Sequence, residues 1–268
     1  MDKRIHQGKN MEVNPLKKKW STGGTLIGTH IMYSRDVTTI QIAASAGLDF
    51  IVFDLEHRPH NYETIHDLCQ TARLTGLAPI VGPEEITDFA ISHVLDMGAS
   101  GILVPHVETL DDIKIATRAI SYPPLGTRGR AGKAGHNLYN PVASVEKEIE
   151  NYNEDISLLI KVESESAIRN LKQLLSIGRV DGVMIGSSDL SIDMGIPGQV
   201  KNERILELFD LARNICNEMG IHFGINVGTT KEIPDAVSSG AKWIISSSEM
   251  DLLYEGWNSA RNNINKGN

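Results

Sequence analysis

Eight apolar runs of strand length recur along this chain, each followed by a segment of helical length, so a period near two repeatedly gives way to one near 3.6. The runs are Thr25 to His30, Phe50 to Glu56, Ala78 to Gly82, Gly101 to Pro105, Ser157 to Glu163, Gly182 to Gly186, His222 to Val227 and Trp243 to Ser247. Helical patterns lie between them, among them Tyr62 to Leu74, Thr87 to Met97, Asp111 to Ile120, Ala167 to Ser176, Glu203 to Glu218 and Lys231 to Ser238, with a last one from Glu249 to near Ile264. Gly47, Gly76, Gly98, Gly178, Gly220 and Gly240 stand where these helices should stop. Strands alternating with helices argue for a parallel sheet of βα units. Eight units in about 245 residues predict an α/β fold of the (β/α)₈ TIM-barrel type in a single domain. A doubly wound open sheet is the competing topology, but it brings fewer units and a Gly-rich first turn, and the chain has no GxGxxG.

The 268 residues can bury one sizeable core, and 41% hydrophobic against 22% charged residues gives no sign of disorder. A net charge of -8, with no extended basic run outside the N-terminus, argues against nucleic acid and anionic membrane as partners and favours a small-molecule substrate. Cys69 and Cys216 are far apart and outside any CxxC or Cys/His cluster, so both read as core thiols in a reducing compartment. No apolar run reaches the ~18 residues of a membrane span, and the N-terminus lacks the apolar segment of a secretory signal. A cytoplasmic protein is expected. Residues 1–19 are polar and carry Lys17, Lys18 and Lys19, which reads as a solvated leading arm ahead of a barrel domain over 20–268. One long insertion, Pro123 to Asp155, follows the fourth helix, and loops of that length are usually functional or make subunit contacts.

In a barrel of this kind the active site lies at the C-terminal ends of the strands, so polar residues there are the candidates. Asp54, Glu56 and His57 end the second run, with Asp54 and Glu56 on one face by strand alternation. Lys161 and Glu163 share a face at the end of the fifth, and Gly186-Ser187-Ser188-Asp189 follows the sixth. Glu163 and Asp189 end neighbouring strands, so their carboxylates can converge on one hard cation and leave positions for water and substrate. Asp189 can equally be a helix N-cap. His57, beside two carboxylates, suits a general base, or a structural hydrogen-bonding histidine. His106, after the fourth run, has weaker support, with no acidic residue close in sequence before Glu108. The small Gly186, Ser187 and Ser188 can offer N–H groups to a carboxylate, or simply turn the chain. Ser246 to Ser248 admit the same two readings, tilted toward anion binding by their place after the eighth strand.

From Gly24 onward these segments resemble the HpcH/HpaI aldolases, the class II pyruvate aldolases that include 2-oxo-3-deoxy sugar acid and 2,4-dihydroxyheptenedioate aldolases. The resemblance rests on Phe53-Asp54-Leu55-Glu56-His57, Gly98 to Pro105, Tyr122 to Gly129, Val162-Glu163 and Asp181 to Ser191, in that order and spacing. It implies a Mg²⁺, Mn²⁺ or Co²⁺ ion held by Glu163 and Asp189, chelated by a 2-oxo acid, with His57 as base, Asp96 as its partner and Asp54 in the same polar shell. It also implies a homo-oligomer, a hexamer or trimer of dimers, with the last helix exchanged between subunits. One departure stands out: where the family has an arginine in a Val-Arg-Pro context, this chain has Val81-Gly82-Pro83, followed by Glu84 and Glu85. Such a cation is worth several kcal/mol of barrier at a developing oxyanion. Lys161, where relatives have an uncharged residue, reads as its substitute.

The expected function is therefore a carbon–carbon lyase acting on a 4-hydroxy-2-oxo acid through a metal-bound pyruvate enolate, with an aldehyde as the second partner. Glu163 and Asp189 would hold the metal, His57 with Asp96 would move the proton, Lys161 would steady the oxyanion, and Gly186, Ser187, Ser188 and Asp54 would contact substrate. Decarboxylation or condensation of the same enolate is one alternative. A catalytically weak 2-oxo acid binding protein, lacking the arginine at Gly82, is the other.

Overall fold

A computed structural model describes residues 14–264. Strands β1 (Leu26–Ile31), β2 (Phe50–Asp54), β3 (Ala78–Gly82), β4 (Gly101–Val104), β5 (Ser157–Val162), β6 (Gly182–Ile185), β7 (His222–Val227) and β8 (Trp243–Ser248) pair in parallel in sequence order. β8 then pairs with β1 and closes the barrel, which removes the open-sheet alternative.

The helices are α1 (Pro15–Ser21), α2 (Val37–Ser45), α3 (Tyr62–Leu74), α4 (Asp88–Asp96), α5 (Leu110–Ile120), α6 (Val145–Asp155), α7 (Glu165–Arg169), α8 (Leu171–Leu174), α9 (Ser187–Asp193), α10 (Glu203–Met219), α11 (Ile233–Ser238) and α12 (Glu249–Ile264). Side-chain caps set several starts: Thr87 accepts from the Ala90 N–H, and Thr109 with Asp112 forms a capping box. All six glycines expected as stops have positive φ. The single helix expected over Ala167 to Ser176 is two short ones broken at Asn170, whose φ of −91° and ψ of 5° leave the helical basin. β2 and β5 end at Asp54 and Val162, two and one residues earlier than the apolar runs suggest, so Glu56 and Glu163 belong to the loops that follow.

One apolar layer lies between strands and helices, and a second fills the barrel's lower interior with Phe50, Ile80, Leu159, Trp243 and Ile245. Two glycines make room for the largest of these. A Cβ on Gly28 would sit 2.4 Å from the Phe50 ring, and one on Gly224 would sit 2.2 Å from the Trp243 ring. Helix α1 corrects the expected solvated arm: residues 1–13 lie outside the described residues, but Asn14 to Lys19 are not an arm. Leu16 and Trp20 are buried with the lower interior cluster, Trp20 stacks on His222 at 4.3 Å, and the buried Asn14 amide donates to the Ser100 carbonyl at 2.7 Å. Lysines at 17–19 hid an i, i+4 apolar pair, Leu16 and Trp20, which caps the base of the barrel.

The insertion folds back behind α4. Arg128, whose side chain is fully buried, donates to Asp96 at 2.7 Å and lies over the rings of Tyr122 and Tyr152. His136, also fully buried, sits between Asp96 and Glu148.

Candidate active site

The β-strand ends surround a cavity whose wall includes Asp54, Glu56, Gly82, Lys161, Glu163 and the stretch Gly186 to Asp189. Glu163 is its centre. It is only 3% exposed, and its Oε2 accepts the His106 backbone N–H at 2.9 Å while lying 2.9 Å from His106 Nδ1. Its Oε1 is 3.1 Å from the Lys161 ammonium, but the angles admit no hydrogen bond, and this buried oxygen has no hydrogen-bond partner among the described residues. The charge attraction is real and the lone pairs stay free, so Oε1 is poised for a further cation. Gly186 presses on the same carboxylate, since a Cβ there would fall 2.4 Å from Oε1. Any side chain at 186 would displace the one unpartnered carboxylate oxygen.

Asp189 stands in the first turn of α9, and the N-cap position is Gly186, so the N-cap reading of Asp189 does not hold. The helix begins without a side-chain cap, which leaves its leading N–H groups, those of Ser187 and Ser188, at the cavity wall. Glu163 and Asp189 thus offer carboxylate oxygens to one cavity, a donor set suited to a hard divalent ion. The residues present fit such an ion.

Lys161 points inward beside Glu163, as strand alternation predicts. Asp54 acts on the backbone: its Oδ1 accepts the N–H groups of Glu56 and His57 at 2.8 and 3.1 Å and fixes the turn that carries them. His57 is 55% exposed at the rim, with Nε2 3.6 Å from Glu56 Oε2. Asp96 is not with it. Its carboxylate is taken by Arg128 and faces His136, so the expected His57–Asp96 pair does not form within one chain. The guanidinium in the insertion, a long-range contact, is what claims Asp96.

Two residues, His30 and Asn226, escaped the sequence reading, and His106 was given too little weight. His106 has acidic partners after all, with Nε2 3.0 Å from Glu56 Oε1 and Nδ1 on Glu163, both remote in sequence. Its backbone is left-handed, φ 47°, which turns the ring back toward β2. His30, at the end of β1, also lines the cavity, and burial, aided by the Lys161 and Arg58 charges, pushes its pKa down to about 4. It is a neutral imidazole at neutral pH. Asn226 on β7 completes the wall. The strand-end rule would have found His30 and Asn226 had it been applied to every strand. Ser246 to Ser248, read as an anion site, are instead internal: Ser246 donates to the Gly28 carbonyl, and Ser247 and Ser248 donate to Asp251 in α12.

A barrel with a carboxylate pair at its mouth and a lysine facing it is a framework suited to metal-assisted chemistry. A family model for HpcH/HpaI aldolase/citrate lyase matches residues 32–248, and the chain belongs to this family. A 2-keto-3-deoxy-L-rhamnonate aldolase of Shigella boydii is 33% identical over 201 residues, 72% of this chain and 73% of the relative. Among solved structures, an HpcH/HpaI aldolase of Desulfitobacterium hafniense superposes with TM-score 0.89 at 27% identity, covering 93% of this chain and 96% of its own. Citrate synthase SbnG superposes with TM-score 0.83 at 25% identity, covering 94% and 98%. The chain is a carbon–carbon lyase of the class II aldolase type, a type that implies a divalent metal. Among the described residues, no helix is long and apolar enough to cross a membrane.

Proposed function

We propose that the protein cleaves and forms the C3–C4 bond of 4-hydroxy-2-oxo acids of the 2-keto-3-deoxy sugar acid kind, yielding a pyruvate-type acid and an aldehyde. The observation that carries this is the buried Glu163 Oε1, free of hydrogen bonds, facing the cavity shared with Asp189. Glu163 and Asp189 hold Mg²⁺, Mn²⁺ or Co²⁺. When bound, the ion supplies Lewis-acid polarisation of the substrate's keto oxygen. The N–H groups of Ser187 and Ser188 receive the substrate carboxylate beside Gly186, whose own N–H donates to the Val162 carbonyl at 3.0 Å. In cleavage the 4-hydroxyl loses its proton toward His57, the C3–C4 bond breaks, and its electron pair ends as the enolate of the 2-oxo acid. The Lys161 ammonium stabilises that oxygen in place of the absent arginine. Protonation at C3 completes the turnover.

Asp54 holds the turn bearing His57, and Asp96 acts on His57 only from a neighbouring subunit. A homo-oligomer, a hexamer or trimer of dimers, suits helix α12, which leaves Leu252, Leu253, Tyr254 and Trp257 exposed. The two free, buried cysteines suit a reducing cytoplasm. Retro-aldol turnover, followed by release of pyruvate from a 2-keto-3-deoxy sugar acid, tests the proposal. Activity should vanish with EDTA and return with Mn²⁺ or Mg²⁺, and Glu163→Gln or Asp189→Asn should each cripple Mn²⁺ binding. Full turnover in EDTA overturns it.

A further inference from the structure

We infer that Glu56, His57 and His106 form a second metal site, at the rim of the barrel mouth, selective for a borderline ion such as Zn²⁺. One donor atom from each of the three lies within 4.8 Å of the other two. The Glu56 carboxylate lies between the two rings, with Oε1 3.0 Å from His106 Nε2 and Oε2 3.6 Å from His57 Nε2. Zinc bonds of about 2.0–2.1 Å in a tetrahedron place neighbouring ligand atoms about 3.3 Å apart. The two separations run from different Glu56 oxygens and one donor from each residue spreads over up to 4.8 Å, so closing on an ion draws the three side chains inward by rotation. Two imidazoles and one carboxylate suit Zn²⁺ and its neighbours and reject Mg²⁺, which asks for oxygen donors. Three protein ligands leave the fourth position to water.

The surroundings prepare these ligands. His106 Nδ1 lies 2.9 Å from the buried Glu163 carboxylate, which leaves Nε2, 3.0 Å from Glu56 Oε1, as the ring nitrogen on the Glu56 side. That carboxylate–imidazole–metal order is the usual support of a zinc histidine. On the other side, Asp54 fixes the Glu56 and His57 amides. Both histidines are about half exposed, so an ion reaches the rim from solvent without entering the cavity. An ion there takes the His57 lone pair. On the function proposed above, Zn²⁺ therefore arrests proton transfer while Glu163 and Asp189 still hold their own ion.

The test is Zn²⁺ binding by the full-length, chelator-stripped protein, read by calorimetry and by competition with a chromophoric chelator. Asp189→Asn removes a ligand of the inner site and should retain one Zn²⁺ per chain, with little affinity for Mg²⁺. On that background His57→Ala, at an exposed position, should weaken Zn²⁺ by at least about 100-fold, and so should His106→Asn, which tolerates the left-handed backbone. Loss of all Zn²⁺ in Asp189→Asn, or unchanged binding after both histidine substitutions, overturns the rim site. Failure of the inner-site reading looks different: Mn²⁺ binding would then be indifferent to Asp189→Asn, while the Zn²⁺ result would stand or fall by the histidines.

Discussion

The same eight strands build two unlike ends. At the base, Phe50, Trp243 and Trp20 interlock in space that Gly28 and Gly224 leave open. At the mouth the strands run out into Lys161, Glu163, His30 and a carboxylate oxygen with no hydrogen bond. The base is closed by interlocking apolar rings, and the mouth keeps a buried carboxylate oxygen unpaired. Stability and chemistry are thereby separated along a single strand direction: a residue's height in the barrel decides which of the two its substitution should change.

The sharpest break of that contrast comes from Trp243→Ala, which removes a fully buried ring and should cost about 3–5 kcal/mol of stability, read as a lowered denaturant midpoint. Glu163→Gln, equally buried, should leave the midpoint near wild type, because the buried Oε1 has no hydrogen bond to lose and Oε2 can still accept the His106 N–H, and should abolish metal binding. If Glu163→Gln instead unfolds the protein, the mouth is not separable from the core.

At the mouth itself, His57→Ala should keep metal and pyruvate binding yet slow proton exchange at the pyruvate methyl about 100-fold or more, near 2.7 kcal/mol. Exchange at the wild-type rate would make His57 structural. Asp96→Asn divides the two ends in another way. It leaves the buried Arg128 guanidinium without its carboxylate, so stability should fall. A loss of proton exchange with stability intact would instead place Asp96 beside a neighbouring subunit's His57.

Acid should act on two histidines. His30 has its pKa lowered to about 4 and His136 to about 3, both chiefly by burial, against 6.5 for the free side chain. The unfolded chain therefore binds more protons between about pH 6.5 and 3, so stability should fall as pH drops through that window and flatten below it. His30→Asn should roughly halve the slope between about pH 6.5 and 4 and leave the part below it to His136. A midpoint constant from pH 6.5 to 4 would show that neither ring is held neutral.

The barrel was legible because its signal is repeated eight times, and the strand-end rule pointed to Glu163, Asp189 and Lys161, which line the cavity at the mouth. What was not legible depended on distant partners. Asp96 looked free in sequence, but Arg128 lies 32 residues away and claims it. His106 lacked a neighbouring acid and found Glu56 and Glu163 across two other strands. The leading lysines hid Leu16 and Trp20 because a seven-residue helix is too short to show its period.

The smallest effect concerns the cation at the enolate oxygen, the role proposed for Lys161 in place of an arginine on a different strand. Its ammonium is 3.1 Å from Glu163 Oε1, so the side chain is held by a carboxylate and is not presented as a free nucleophile. Borohydride with pyruvate should therefore trap no adduct, whereas a trapped adduct would make this a lysine aldolase and displace the metal reading. Lys161→Met should then lower turnover about tenfold, near 1.4 kcal/mol, with Mn²⁺ affinity kept. At Gly82 the geometry permits the reverse experiment, because a Cβ there meets only the Leu103 carbonyl at 3.4 Å and the Phe53 carbonyl at 3.6 Å. Gly82→Arg should accordingly fold and raise aldol turnover, most clearly in the Lys161→Met background, where it restores the missing charge from the neighbouring side. A silent Lys161→Met together with no gain from Gly82→Arg would reduce Lys161 to a charge partner of Glu163 and leave the oxyanion to the metal alone.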